Sequence, residues 1–259
     1  MKSYFIHKGK QFETINDLPS ELFFHAFKYG DGAFETMLLN NGEIKLLSYH
    51  YDRIKSTCKL LGYDESQIIS AKEFLNALPS EGRYRVKLSY FRSGDAVYYN
   101  KSLNTEYLIE VSEFQRQGSK IFNIGVYDQA LKSYSMLSSL KLMNCAAYVE
   151  ASRYKTSYSL DEVVVLNNKG QVCETSFCNI FIVKNGQIYT PPLDSGCVAG
   201  TMRAFLLDNV EVNERDLEVK DLLEADEVFL TNALKGIIPA RLTLNQRNDK
   251  ALELKNRLF

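Results

Sequence analysis

Residues 162–183 read EVVVLNNKGQVCETSFCNIFIV and are the most strand-like part of the chain. Residues 162–166 read as a strand built on Val163-Val164-Val165, Asn167-Asn168-Lys169-Gly170 has turn chemistry, and residues 173–183 continue as a second strand. Asn185-Gly186 turns the chain again into residues 187–190, ahead of Pro191-Pro192. Glu174 stands inside the second apolar run, where a carboxylate without a partner is costly. Two readings are open for it: pairing with a buried cation, or facing solvent from a strand.

Working outward, Gly200-Thr201 opens a helix, and Leu222-Leu223-Glu224-Ala225 suggests a short one before a strand at 227–231. Upstream lie a helix at about 144–154, a serine-rich stretch and a strand at 121–127. Residues 112–120, SEFQRQGSK, are polar and suit an interdomain linker or an exposed loop. They divide the chain into an N-terminal α+β domain (1–112), a linker (113–120) and a C-terminal domain (121–259). In the first domain a strand at 34–39 turns at Asn40-Asn41-Gly42 into a partner at 43–47. Ser48 is the expected N-cap of a helix. Leu47, Tyr51, Ile54, Cys58 and Leu61 mark its apolar stripe, Arg53 lies off that stripe, and Gly62 closes it. Strands follow at 83–90 and 105–111.

The chain has 45% hydrophobic and 24% charged residues, enough apolar material for a core that needs no disulfide or metal. Its net charge of −1 gives no reason to expect nucleic acid or an anionic membrane as partner. The five cysteines (Cys58, Cys145, Cys173, Cys178, Cys197) lack C-x-x-C spacing and read as reduced cytosolic thiols. His7, His25 and His50 are far apart, so neither a metal site nor a histidine-based triad is expected. The opening residues, MKSYFIHKGKQFET, lack a signal-peptide run, and no stretch approaches transmembrane length. A soluble, cytoplasmic protein is expected.

Lys141 follows the apolar, hydroxyl-rich stretch SYSMLSSL. Desolvation there would free its amine for Schiff-base chemistry, while the alternative is a lysine that snorkels to solvent. Val198-Ala199-Gly200-Thr201-Met202-Arg203 puts glycine at a helix start, whose N–H groups suit a phosphate. Gly30-Asp31-Gly32 reads as a turn rather than a nucleotide loop.

The order of these features resembles the fold-type IV pyridoxal-phosphate enzymes, from Phe27 to about Pro239. That family includes branched-chain and D-amino acid aminotransferases and 4-amino-4-deoxychorismate lyases. Tyr29-Gly30-Asp31-Gly32-Ala33-Phe34-Glu35-Thr36 is similar to the family's Y-G-D-G-x-F-E-T, and His50-Tyr51-Asp52-Arg53 to its H-x-x-R. Lys141-Leu142-Met143-Asn144 resembles the segment that presents the Schiff-base lysine. Glu174 to Phe181 resembles E-x-x-x-x-N-[IL]-F, and Gly200-Thr201-Met202-Arg203 resembles the G-I-[TM]-R turn.

The resemblance implies an α+β/α/β fold of two domains with the active site in the interdomain cleft, and a homodimer. It implies pyridoxal 5′-phosphate on Lys141, with Glu174 at the pyridine nitrogen and Asn144 on the O3′ side. The phosphate would fall to Arg53 and the amides of Thr201 and Met202, with Asn232 and Ala233 also at the cofactor. Arg92 is expected to bind a substrate carboxylate, or else is an exposed loop arginine. Thr231-Asn232-Ala233-Leu234 resembles the T-N-A-L or C-N-A-L of the lyases more than the hydroxyl-bearing segments of the aminotransferases. The expected reaction is therefore that of a 4-amino-4-deoxychorismate lyase acting on a small amine substrate. The alternative is an aminotransferase for branched-chain or D-amino acids, and intact Lys141 and Glu174 argue against a non-catalytic relative.

Overall fold

The computed structural model describes residues 3–99, 101, 103–115 and 120–258. They fall into two compact units, Met1–Gln117 with Lys141–Asn144, and Gly118–Leu140 with Cys145–Phe259.

In the first unit the chain order is β1 (Ser3–His7), β2 (Lys10–Phe12), α1 (Phe24–Tyr29), β3 (Gly32–Asn40), β4 (Glu43–Ile44), α2 (Leu47–Leu61), α3 (Ala71–Asn76), β5 (Arg83–Ser93) and β6 (Asn104–Glu113). The strands form one antiparallel sheet in the order β2-β1-β6-β5-β3-β4. Strand side chains alternate between faces. Ala33, Met37 and Leu39 therefore turn one way and pack with Val86, Leu88 and Ile109, and with Ile54 and Cys58 of α2. Phe34 and Thr36 turn the other way. Lys87, directly opposite Thr36, shares their face.

The strand at 34–39 lies within β3, but its hairpin partner is shorter than expected. β4 ends at Ile44, because Leu46 takes the left-handed conformation (φ 63°) and becomes the N-cap of α2. Ser48, the expected cap, is already inside the helix. Gly62 closes α2 at φ 68°, the conformation glycine adopts at no steric cost.

The second unit contains β7 (Phe122–Lys132), α4 (Ala146–Ser157), β8 (Glu162–Asn167), β9 (Val172–Thr175), β10 (Asn179–Lys184), β11 (Gln187–Thr190), α5 (Thr201–Asn209), β12 (Val212–Glu214), α6 (Val219–Leu223), β13 (Glu227–Asn232), β14 (Gly236–Arg241) and α7 (Asp249–Leu258). Its mixed sheet runs β12-β11-β10-β13-β14-β7-β8-β9. β7 and β8 are parallel and α4 is the crossover between them, a βαβ arrangement. Every residue of β8 is buried, which is why that segment reads as continuous apolar run rather than alternation.

Two expectations are corrected here. Residues 173–183 do not form one strand. At Thr175 the backbone N–H donates to the Cys178 carbonyl (2.8 Å), and the Thr175 hydroxyl both accepts from the Cys178 N–H and donates to that carbonyl (3.1 Å each). This closed turn separates β9 from β10. Nor is the second unit contiguous from 121 to 259, since Lys141–Asn144 belongs to the first unit, where its backbone pairs with β3. Of the expected linker, Glu113 is part of β6, and residues 116–119 lie outside the described residues. Among the described residues no helix is long and apolar enough to cross a membrane.

Candidate active site

Lys141 sits on a strap pinned to the edge of β3. Phe34 N–H donates to the Lys141 carbonyl at 3.0 Å, Met143 N–H donates to the Gly32 carbonyl at 2.8 Å, and Ala33 and Leu142 form an antiparallel bridge. Gly32 is required by this close approach. A Cβ there would lie 2.5 Å from Met143 Sδ and 2.9 Å from Phe91 Cβ. Leu142 packs on the core of the unit and Met143 on the cluster around Phe91 and Leu108, so the strap is fixed by side chains as well. The Lys141 ammonium lies 4.6 Å from the Phe34 ring centroid, and Lys87 Nζ lies 4.8 Å from the same ring. Asn144, at the end of the strap, is exposed and packs against the Gly30 turn.

Beneath that strand face lies a buried polar cluster that the sequence reading did not single out. Glu35 and His50 are fully buried. His50 Nδ1 is 2.6 Å from Glu35 Oε2, and Arg53 donates from Nε to Oε1 at 2.7 Å and from Nη2 to Oε2. Burial works to raise the Glu35 pKa. The Arg53 charge and the bonds from His50 and Arg53 outweigh it and hold the carboxyl at about 2. Burial also lowers the His50 pKa despite its Glu35 partner, with Arg53 and Lys141 adding to the lowering. Arg53 is therefore aimed by a buried carboxylate, with a bidentate geometry that lysine could not reproduce.

Arg92 is engaged within its own unit. Its Nη1 donates to both oxygens of Asp31 (2.8 and 2.9 Å) and its Nη2 to the Leu61 carbonyl, and its guanidinium lies 4.4 Å from the Tyr63 ring centroid. Tyr63 also donates to Asp31 at 2.8 Å. The guanidinium is committed to holding the Gly30-Asp31-Gly32 turn against the end of α2. It stands on β5 with its side chain 11% exposed, so it is not an exposed loop arginine.

In the second unit Glu174 is 3% exposed, on β9. Its Oε1 accepts from the Tyr148 hydroxyl at 2.7 Å and pairs with Lys132 Nζ at 3.1 Å, while its Oε2 accepts from the Val198 N–H at 3.0 Å. The first reading of Glu174, a buried and partnered carboxylate, is the one the structure supports. Burial and the neighbouring Glu174 charge push the Tyr148 pKa far up, so the phenol remains a donor.

Thr201 and Met202 are buried in the first turn of α5, whose N-cap, Gly200, supplies no side-chain bond. A Cβ at Gly200 would fall 1.9 Å from Asn179 Oδ1, so only glycine lets the helix start this close to β10. α5 packs against β13, where the Thr231 hydroxyl oxygen is buried without a hydrogen-bond partner. Asn232 folds its side chain into the turn after β13. Its Oδ1 accepts from the N–H groups of Leu234 (3.1 Å) and Lys235 (2.8 Å), and its amide lies 3.3 Å from Cys178 Sγ. Ala233 is half-buried in that turn.

The expected site residues thus divide by unit: Lys141, Arg53, Arg92 and Asn144 in the first, Glu174, Thr201, Met202, Asn232 and Ala233 in the second. Glu35, Lys87, Lys132 and Tyr148 were missed. Glu35 stood inside a quoted motif and could have been found from the cost of a carboxylate among apolar neighbours. Lys87, Lys132 and Tyr148 depend on pairing between distant segments and carry no local signal.

The class IV aminotransferase model matches residues 32–242. A protein of Thermotoga maritima named probable branched-chain-amino-acid aminotransferase is 32% identical over 203 residues, covering 74% of this chain and 70% of its own length. An aminodeoxychorismate lyase of Vibrio harveyi is 26% identical over 243 residues, covering 87% of this chain and 89% of its own. Among solved structures, an aminotransferase from Brucella abortus bound to PLP superposes with a TM-score of 0.82 at 20% identity, covering 98% of each chain. This last likeness establishes the fold, the two-domain fold-type IV architecture, and the relatives divide between two activities. With its strapped lysine, buried carboxylate and a family match spanning most of its length, the chain belongs to the class IV aminotransferases and is an enzyme of that family.

Proposed function

We propose that the chain is a pyridoxal-phosphate-dependent 4-amino-4-deoxychorismate lyase, forming 4-aminobenzoate and pyruvate in the cytoplasm, on the folate branch, as a homodimer. The observation that carries the choice of lyase is the turn after β13. Asn232 turns its side chain inward and Ala233 follows, so this turn offers no hydroxyl where the family's aminotransferases supply one.

The residues present fit the cofactor. α5 begins without a side-chain cap, beside a buried hydroxyl with no partner, and suits a phosphate. Glu174 suits a protonated ring nitrogen, and Lys141 suits an aldehyde. In this reading the amides of Thr201 and Met202 hold the phosphate with Arg53, which Glu35 orients. Asn232 and Ala233 would border it, and Asn144 would serve the ring's hydroxyl side. Bound pyridoxal phosphate supplies an electron sink conjugated to the substrate's amine. Lys141, as a free amine, would take the proton from substrate C4, and the C–O bond to the enolpyruvyl group would break as the substrate ring becomes aromatic. The departing enol gains a proton at its methylene and leaves as pyruvate. Lys87, on the Lys141 side of β3, is the cation for a substrate carboxylate.

A second reading, an aminotransferase for branched-chain or D-amino acids, is favoured by Phe34-Glu35-Thr36 and by the Thermotoga maritima relative. One pair of assays separates the two. Pyruvate release from aminodeoxychorismate supports the lyase. Rapid conversion of the yellow holoenzyme to its pyridoxamine form by amino acids, without pyruvate from aminodeoxychorismate, refutes it. Lys141→Ala should abolish the borohydride-sensitive colour in either case.

A further inference from the structure

Glu174 already has a cation. Lys132, at the end of β7, reaches its Oε1 at 3.1 Å and donates to the Tyr148 hydroxyl at 2.6 Å, and Tyr148 donates to the same Oε1 at 2.7 Å. The three groups close a ring of charge-assisted contacts. The Lys132 side chain is 12% exposed and that of Glu174 4%, so solvent screens the pair weakly. Among the described residues, two buried thiols also sense Glu174. Burial pushes Cys173 up to about 12 and Cys197 up to about 11, with the Glu174 charge adding in each case, so both stay protonated and neither supplies charge.

A buried carboxylate needs a compensating positive charge. Were Glu174 alone, a protonated pyridine nitrogen would be its sole source. With Lys132 in place, the carboxylate is neutralised whether or not the ring nitrogen carries a proton. We propose that Lys132 is a resident counter-cation that competes with the cofactor's ring nitrogen for Glu174, with Tyr148 as the positioning residue that holds the two together. This rests on the reading that Glu174 meets the pyridine nitrogen. It follows that the ring nitrogen is less firmly protonated here than above an uncompensated carboxylate, and the electron sink is correspondingly weaker. A weak sink suits a reaction driven by aromatisation of the substrate, which needs little stabilisation of negative charge on the cofactor.

The competition predicts a sign that a purely structural role cannot give. Lys132→Gln retains a donor but drops the charge. The cofactor-free variant should be less stable to urea, yet should bind pyridoxal phosphate more tightly, by about tenfold or more, because the ring nitrogen becomes the only counter-ion. The gain should fade as pH rises and the nitrogen loses its proton. It should be absent for the carbocyclic analogue in which that nitrogen is replaced by CH, and Lys132→Arg should bind like wild type. Equal or weaker binding of pyridoxal phosphate by Lys132→Gln overturns the inference. If instead wild type itself takes up no pyridoxal phosphate, the reading of Glu174 fails first. Should Lys132→Gln not fold, the ¹⁵N shift of ring-labelled cofactor on wild type decides: a ring nitrogen that deprotonates within pH 6–10 supports the competition, and one fully protonated throughout refutes it.

Discussion

Replacing Glu35 by Gln preserves shape at the centre of the His50–Arg53 cluster and removes the carboxylate that both residues contact. Glu35 is fully buried, and its carboxyl is held at about 2 rather than the usual 4.5. A shift of that size corresponds to about 3 kcal/mol of folded-state stabilisation at neutral pH. It matches the cost, about 3–5 kcal/mol, of breaking a buried ion pair from one side. The sign follows from the depressed pKa. The contribution is fully present above the unfolded value, near 4.5, and is lost as pH falls toward 2. The gap between wild type and Glu35→Gln should therefore narrow from about 3 kcal/mol at pH 7 to about 1 kcal/mol at pH 3. Urea denaturation followed by far-ultraviolet circular dichroism at both pH values measures it, with the slope in urea unchanged. A gap below 1 kcal/mol at pH 7, or one that does not shrink in acid, would refute the argument that this carboxylate is the anchor of Arg53.

Gly32→Ala should displace the Lys141 strap, since its Cβ would overlap Met143 Sδ and Phe91 Cβ. A destabilisation of about 1–3 kcal/mol and weaker cofactor uptake, by thermal melt and absorbance titration, are expected. Arg92→Lys should lower stability by about 1–2 kcal/mol while leaving KM within about twofold, because its contacts are to Asp31, Leu61 and Tyr63. Lys87→Met should do the reverse, raising KM about tenfold or more with little change in melting temperature. Among the thiols, half-buried Cys145 should react first with a disulfide reagent at pH 8. Cys58, Cys173, Cys178 and Cys197 are buried, with raised pKa values, and should react only on unfolding.

What the sequence made legible follows from the range of the interactions concerned. Asn40-Asn41-Gly42 and Gly62 act through their own φ angles, and the turn and the helix end stand where those residues put them. Leu46 shows the limit: a left-handed leucine has no compositional signature, so the start of α2 was misplaced. The break between β9 and β10 is made by Thr175, whose hydroxyl ties Cys178, in a segment whose composition is wholly strand-like. Arg92 was recognised by its neighbours in sequence, but its partners, Asp31 and Tyr63, come from other strands and loops. Lys141 and Glu174 were singled out only through a resemblance. The strap that fixes one and the Lys132–Tyr148 pair that balances the other are products of long-range packing.

The Lys141 strap also bears on how such a chain can be inherited. Lys141–Asn144 is bracketed on both sides by sequence of the second unit, yet it completes the sheet edge of the first. A gene cut near residue 117 would yield one piece lacking Lys141 and another carrying it on a segment with no strand to pair with. The boundary that geometry draws between the units is therefore not a single cut in the sequence.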